Sequence, residues 1–147
     1  MIKEHHLFEK KDFIKQTLET NKLKASTLEL YLRLFKYEQE LEVWAKNKSD
    51  QTFKKILTYP FCSFSGDLGP KRKEGDYQVP EGFYHINDFN PWSTFYLSMG
   101  INYPNQSDRK LGTKPLGGSI YIHGDCVTIG CVPITDDKIK ELYLLAV

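Results

Sequence analysis

The stretch Tyr121-Ile122-His123-Gly124-Asp125-Cys126-Val127-Thr128-Ile129-Gly130-Cys131-Val132-Pro133 decides how this chain is read. It places a histidine and a cysteine on one short strand-loop segment, close enough for an imidazole to meet a thiol. The thiolate is the nucleophilic form, and a neighbouring histidine can bring a cysteine pKa from about 8.5 to roughly 3–4. Gly130, just before Cys131, lets the backbone bend so that adjacent N–H groups point at a developing oxyanion. The residues point to cysteine-based acyl transfer, with Cys131 as nucleophile and His123 as base.

Outward from that segment, Ser119–Ile122 reads as a buried strand. After the cysteine, Thr135 is an expected N-cap, and Asp136 and Asp137 suit the positive end of a helix whose apolar stripe is Ile139, Leu142, Tyr143 and Ala146. At the other end, residues 7–24 carry Ile14 and Leu18 at i,i+4 spacing and read as one amphipathic helix. From Leu28 the period becomes two. Leu28, Leu30, Leu32 and Leu34 share a face, and Leu41, Val43 and Ala45 then alternate with Glu42, Trp44 and Lys46. A third run, Thr52–Phe64, completes an expected three-stranded meander and places Cys62 mid-strand in the core. Residues 65–80, rich in Gly, Pro and Lys, read as a long loop, a kind that is usually functional or disordered. Gly82–Ile86 and Thr94–Ile101 are further strand candidates, and 102–118 is turn-rich.

The expected fold is mainly β: a mixed sheet, sandwiched or curled around a cleft, with terminal helices. Residues 1–27 form the N-terminal helical segment and 28–147 the catalytic domain. A length of 147 residues fits one domain with a sizeable core. The net charge of +1 gives no global field favouring nucleic acid or an anionic membrane. No apolar run approaches the ~20 residues of a membrane span. Met1–His6 is not a secretory leader, because no apolar region follows it. Three cysteines exclude a pure disulfide scaffold, since at least one is free or pairs between chains. His5, His6 and His85 carry no motif and read as surface or packing residues.

Several motifs in order resemble the L,D-transpeptidase catalytic domain, the YkuD-like or ErfK family, over roughly Leu30 to the end. Gly69-Pro70-Lys71, Glu74-Gly75-Asp76 and Pro80-Glu81-Gly82-Phe83-Tyr84 look like the family's first block, with Val79 where Thr is usual. The His-Gly pair and Thr128-Ile129-Gly130-Cys131 look like its catalytic box. Ser65-Gly66-Asp67-Leu68-Gly69-Pro70-Lys71, Phe35-Lys36, Asn102-Tyr103-Pro104-Asn105 and the short His-Gly-x-Cys-x-Ser/Thr-x-Gly-Cys spacing are similar to the YafK-like branch. Two features depart from many members: only four residues separate His123 from Thr128, and Ile129 stands where a second histidine is common.

The resemblance implies acyl transfer on peptidoglycan stem peptides, in cell-wall biogenesis and cell shape, without metal or organic cofactor. Cys131 would attack the bond between the L-centre of a diamino acid and D-Ala, with the N–H groups of Gly130 and Cys131 holding the oxyanion. An amine would resolve the thioester in a transpeptidase. Water would do so in the alternative, a hydrolase acting as an L,D-carboxypeptidase or an amidase releasing a wall-linked lipoprotein. β-Lactams, carbapenems especially, are expected to acylate Cys131. A wall substrate implies the periplasm or cell envelope, with a leader absent from this chain. Thr128, Gly124, Lys71, Tyr84, Tyr96 and Tyr103 are the expected substrate-binding residues, and a backbone carbonyl or a nearby polar side chain, with 117–119 as one source, is expected to fix the His123 tautomer.

Cys126 stays open between disulfide partner, buried thiol and second reactive group, with a structural role favoured. A Cys126–Cys131 disulfide would silence the enzyme. A reading of a different class is a non-catalytic wall-binding module or a zinc site drawing on Cys126, Cys131, His123 and Cys62 or His85. The Cys/His spacings do not match a paired C-x-x-C framework.

Overall fold

The computed structural model describes residues 7–147, and His5 and His6 lie outside them. The chain divides into two compact units, residues 1–60 with 140–147, and residues 61–139. In the first, helix α1 (Lys11–Thr20) buries Ile14 and Leu18, the pair whose i,i+4 spacing predicts it. Strands β1 (Leu28–Phe35), β2 (Glu40–Asn47) and β3 (Lys54–Pro60) form the expected antiparallel meander in the order β1-β2-β3. The period-two reading is sharpest in the central strand, where Leu41, Val43 and Ala45 are each 0 % exposed. The row on β1 is only half-buried, and Leu34 is left exposed, because β1 is an edge strand. A bulge follows Val43 in the β2–β3 ladder. Glu141 is buried, and its carboxylate accepts from Tyr59 Oη at 2.8 Å and pairs with Lys10 at 3.0 Å. Those bonds are what make a buried carboxylate tolerable.

The second unit is a mixed four-stranded sheet in the order β4-β5-β6-β7. It comprises β4 (Ile86–Asn90), β5 (Ser98–Ile101), β6 (Tyr121–His123) and β7 (Val132–Pro133). The first three pair antiparallel, whereas β6 and β7 are parallel, with Ile122 opposite Val132 and His123 opposite Pro133. Its apolar core includes Leu97, Met99, Ile120, Ile122, Val132, Ile134 and Ile139.

Four expected strands begin or end elsewhere, and one of them, Ser119–Ile122, runs instead over Tyr121–His123 because Ser119 takes a left-handed φ of +57°. Gly82–His85 is not a strand, because side chains of the following segment take its polar groups. Asn102 Oδ1 accepts from the His85 N–H at 2.7 Å, Asn105 Nδ2 donates to the Phe83 carbonyl at 3.1 Å, and Tyr84 Oη donates to Asp108 at 2.8 Å. Residues 94–97 belong to the β4–β5 connection, where Tyr96 has φ +76° and the Ser93 hydroxyl accepts from the Phe95 N–H. β3 ends at Pro60, so Cys62 lies beyond it, half-buried, its N–H on the Pro133 carbonyl at 3.1 Å. The turn-rich region holds a short helix, α2 (Gln106–Leu111), started by a reciprocal capping box between Asn105 and Asp108. Helix α3 (Asp136–Ala146) begins as expected after Thr135, whose Oγ1 accepts from the Lys138 N–H at 3.4 Å. Ile139, Leu142 and Tyr143 of its stripe are buried, with Leu145 rather than Ala146 as the fourth member. Among the described residues no helix is long and apolar enough to cross a membrane.

Candidate active site

The connection from β6 to β7, residues 124–131, is pinned at nearly every step. The Gly124 N–H donates to the Leu97 carbonyl at 3.1 Å, and the Asp125 N–H donates to Asp136 Oδ1 at 2.7 Å. A side chain at Gly124 would stand 2.6 Å from that carboxylate, so the glycine is required by packing. Cys126 is disulfide-bonded to Cys62. Thr128 Oγ1 donates to the Cys131 carbonyl at 2.7 Å, closing the turn that carries the thiol. Gly130 has φ +119°, a conformation that L side chains rarely adopt, and a Cβ there would lie 3.2 Å from the Gln78 carbonyl oxygen.

Cys131 is thereby the one free cysteine of the three, half-buried just before β7. This answers the question left open at Cys126: its partner is Cys62, not Cys131, and neither bonded sulfur is available to zinc. Among the described residues, no cluster of three or more His, Cys, Asp or Glu side chains is arranged to hold a metal.

In the parallel register Ile122 faces Val132 and His123 faces Pro133. Cys131 lies one residue before that register begins, in a bend that follows Gly130. The imidazole is 1 % exposed, and its ring lies 4.8 Å, centroid to centroid, from Phe95. His123 Nδ1 bonds the Gly124 carbonyl. A carbonyl only accepts, so Nδ1 carries the proton and Nε2 keeps its lone pair. The expected orienting carbonyl is therefore Gly124, not one of residues 117–119. The carbonyl of Ser119 instead accepts from the Cys131 thiol at 3.8 Å. Among the described residues no hydrogen bond joins the thiol to the imidazole.

The electrostatics correct the expectation of a strongly acidic thiol. Burial pushes the Cys131 thiol up from its ordinary value, with the Tyr121 N–H and the Lys71 charge pulling the other way. Burial also pushes His123 down, against the Gly124 carbonyl and the Asp125 charge. Both shifts favour the uncharged forms, so the resting pair is a neutral thiol and a neutral imidazole.

The other expected site residues divide. Thr128 and Gly124 shape the turn. Lys71, 5 % exposed, is spent on Asp76 Oδ1 at 2.7 Å and the Lys73 carbonyl at 3.0 Å. Tyr103 is buried and donates to the Leu116 carbonyl at 2.8 Å, and its ring lies 6.4 Å from that of Tyr84. Burial and the neighbouring Asp108 carboxylate push the Tyr84 phenol up, so it stays a hydrogen-bond donor at any working pH. Tyr96 stands in the β4–β5 connection, half-buried. The sequence reading missed Phe95 on the imidazole, and it missed Asp76 and Gln78, which organise the loop beneath Gly130. The Glu-Gly-Asp motif was the available signal for Asp76. Nothing in the pattern marks Phe95.

A family profile for the YkuD L,D-transpeptidase catalytic domain matches residues 31–146. The chain is 38 % identical over 116 residues to an Escherichia coli K12 protein provisionally named as the L,D-transpeptidase YafK, covering 78 % of this chain and 46 % of that one. The YafK of E. coli O157:H7 matches equally. Among solved structures, the helical cell shape determining protein Pgp2 of Campylobacter jejuni aligns with a TM-score of 0.64 at 23 % identity, over 97 % of this chain and 51 % of that one. At that identity the likeness concerns the fold, and it bears out the expected β-rich architecture with flanking helices. Bd1075 of Bdellovibrio bacteriovorus aligns with a TM-score of 0.56 at 26 % identity, over 81 % and 44 %. The chain thus spans about half the length of the relatives it matches.

Proposed function

Because this chain belongs to the family of the YkuD L,D-transpeptidase catalytic domain, we propose that it performs cysteine-dependent acyl transfer on peptidoglycan stem peptides, with Cys131 as nucleophile and His123 as base. One observation carries the assignment. The free thiol follows a glycine at φ +119° and lies one residue before the strand that pairs with the one carrying a buried imidazole, whose Nδ1 is already committed to a carbonyl.

The sulfur attacks the carbonyl joining the L-centre of the diamino acid to D-Ala, and its proton moves to His123 Nε2. The backbone N–H groups of Gly130 and Cys131 receive the oxyanion; a donor of this kind contributes about 3–4 kcal/mol in other enzymes. The imidazolium protonates the leaving amine as the C–N bond breaks, which leaves a thioester on Cys131 and a neutral His123. An incoming amine then takes the acyl group and regenerates the thiol. The substrate places this work in the cell envelope.

Intact-mass spectrometry with a carbapenem tests the nucleophile. A single adduct is expected on the wild type and on Thr128→Ser, and none on Cys131→Ala. Stem-peptide products then identify the acceptor, because hydrolysis adds water where transfer adds the amine. A Cys131→Ala variant that still turns over stem peptide would overturn the proposal.

A further inference from the structure

The buried imidazole of His123 has a neighbour that no motif marks. The Phe95 ring lies 4.8 Å from it, centroid to centroid, at an interplanar angle of 38°. The imidazole is 1 % exposed, whereas Phe95 keeps 40 % of its surface in solvent, so Phe95 forms the outer layer over the ring. The backbone that carries Phe95 is held on both sides. Its N–H donates to Ser93 Oγ at 3.1 Å, and its carbonyl accepts from the Leu97 N–H at 3.1 Å. That i,i+2 bond closes around Tyr96 at φ +76°, the signature of the rare, strained kind of γ-turn. Strain of this kind persists only where surrounding contacts over-determine it. Here those contacts meet on Gly124. The Leu97 carbonyl accepts the Gly124 N–H at 3.1 Å, a Cβ on Gly124 would lie 3.1 Å from the Phe95 carbonyl oxygen, and the Gly124 carbonyl holds His123 Nδ1.

We propose that Phe95 is a positioning residue for His123: the turn at Tyr96 sets its ring against the imidazole, where it keeps water off and, together with the Gly124 carbonyl on Nδ1, fixes the direction of Nε2. A single hydrogen bond at Nδ1 leaves an imidazole free to tilt about that bond. A contact against the ring removes that freedom, and aromatic rings at this separation attract beyond the area they bury. The alternative is a phenylalanine that only fills the core. A core filler is buried, as Leu97 is at 1 % exposure, and Phe95 is not. Excluding water also favours the uncharged imidazole, in line with the direction in which burial moves His123. The titratable groups on the elements around His123 are Asp125 in the turn, Asp136 at the start of α3, Tyr96 beside Phe95 and Cys131 before β7, while Ser98, its partner on β5, is uncharged. The Asp125 charge acts to raise the imidazole pKa, so the lowering comes from burial, which is what Phe95 supplies.

The inference rests on His123 as the base of the proposed acyl transfer, and its first readout needs neither the nucleophile nor stem peptide. Histidine-ring NMR on isotope-labelled protein follows the tautomer and titration of His123, whose signals are those lost in His123→Gln. In the wild type the proton should sit on Nδ1, with a midpoint below 6.5. Phe95→Ala should return the midpoint toward 6.5 and mix the two tautomers. At pH 8 it should also slow carbapenem acylation of Cys131 by at least about tenfold, as loosened geometry at a reacting group does. Phe95→Tyr keeps the ring and should restore both readouts. Phe95→Leu, which has apolar bulk but no ring, is read in place of the alanine variant if that one does not fold, and should move both in the same direction. A folded Phe95→Ala or Phe95→Leu variant with the wild-type tautomer and titration would overturn the proposal, as would one that shifts them while acylation keeps the wild-type rate. If the titration shifts but the wild type takes no carbapenem, the hold of Phe95 on the imidazole stands and the acyl-transfer reading falls.

Discussion

The Cys62–Cys126 disulfide closes a span of 64 residues, and its removal is the perturbation whose size is best fixed in advance. In the chain-entropy account, a loop of that length withdraws about 4 kcal/mol of freedom from the unfolded chain. For a protein of this size that corresponds to a Tm lower by roughly 8–16 °C. The variant is the double Cys62→Ser, Cys126→Ser. A single replacement of Cys62 would free Cys126, five residues before Cys131, and invite exchange between those two thiols. Urea unfolding followed by near-UV circular dichroism, with Cys131 intact, gives the difference at constant m-value. A loss under about 1 kcal/mol would refute the reasoning, because it would mean that the bridge constrains little of the unfolded chain. The same samples should acylate Cys131 more slowly, since Cys126 anchors the middle of the turn that presents it.

Gly130→Ala forces a Cβ to within 3.2 Å of the Gln78 carbonyl at φ +119°, a strain of about 1–3 kcal/mol; urea unfolding and a drop of at least roughly tenfold in carbapenem acylation, as one misplaced catalytic geometry produces, would register it. Burial lowers the His123 pKa from 6.5, so the unfolded chain binds the proton first as pH falls. Its share of stability is present above pH 6.5 and lost on acidification toward the folded value. The rising limb of the acylation rate should accordingly have its midpoint below pH 6.5, and a limb at 7 or above would contradict the buried imidazole. For Asp76, burial raises the pKa, but Lys71 and three backbone N–H groups outweigh it and hold the carboxyl well below the usual range. Its stabilisation is present above pH 3.8 and is lost as pH falls further, so Asp76→Asn should be less stable at pH 7 and flatter in acid. Tyr59→Phe removes a donor from the buried Glu141 carboxylate and should cost about 1.5–3 kcal/mol by urea unfolding.

Much of this was legible in the sequence where one physical rule dominates. Alternation fixed β1 and β2 because one face of each strand must be buried, and Thr135 with two aspartates marked the start of α3 because exposed N–H groups there need acceptors. The rule failed where side chains outcompete the ladder. Gly82–His85 reads as the start of a strand, but Asn102, Asn105 and Asp108 bond to it first, and nothing local to those four residues announces partners some twenty positions away. Helix α2 did carry a signal in Asn105-x-x-Asp108, masked by its shortness and the turn residues around it. The disulfide was illegible because spacing says nothing about which cysteines converge. The upward shift of the Cys131 thiol was illegible because a nearby histidine argues for a thiolate, whereas burial, which only the fold reveals, pushes the other way.

The short spacing between His123 and Cys131 looks at first like an obstacle to the proposed chemistry. A connection between parallel strands ordinarily takes roughly a dozen residues or more, because the chain must return to the end from which it left. Here residues 124–131 accomplish it between strands of three and two residues. Such a return is possible only if the chain turns back sharply and is held there. The means are visible in sequence order: positive φ at Asp125 and Gly130, an aspartate carboxylate capping the turn, a disulfide at its midpoint and a threonine hydroxyl closing its end. A longer connection could deliver the cysteine with fewer constraints but would leave it mobile. The short one trades freedom for a thiol held just before β7, the strand that pairs with the one carrying the imidazole. Insertion of two glycines between Val127 and Thr128 should therefore leave the sheet's amide protection in place while carbapenem acylation falls by at least roughly a hundredfold, as expected when a reacting group moves by about an ångström. Unchanged acylation would mean that the turn's constraints serve stability alone.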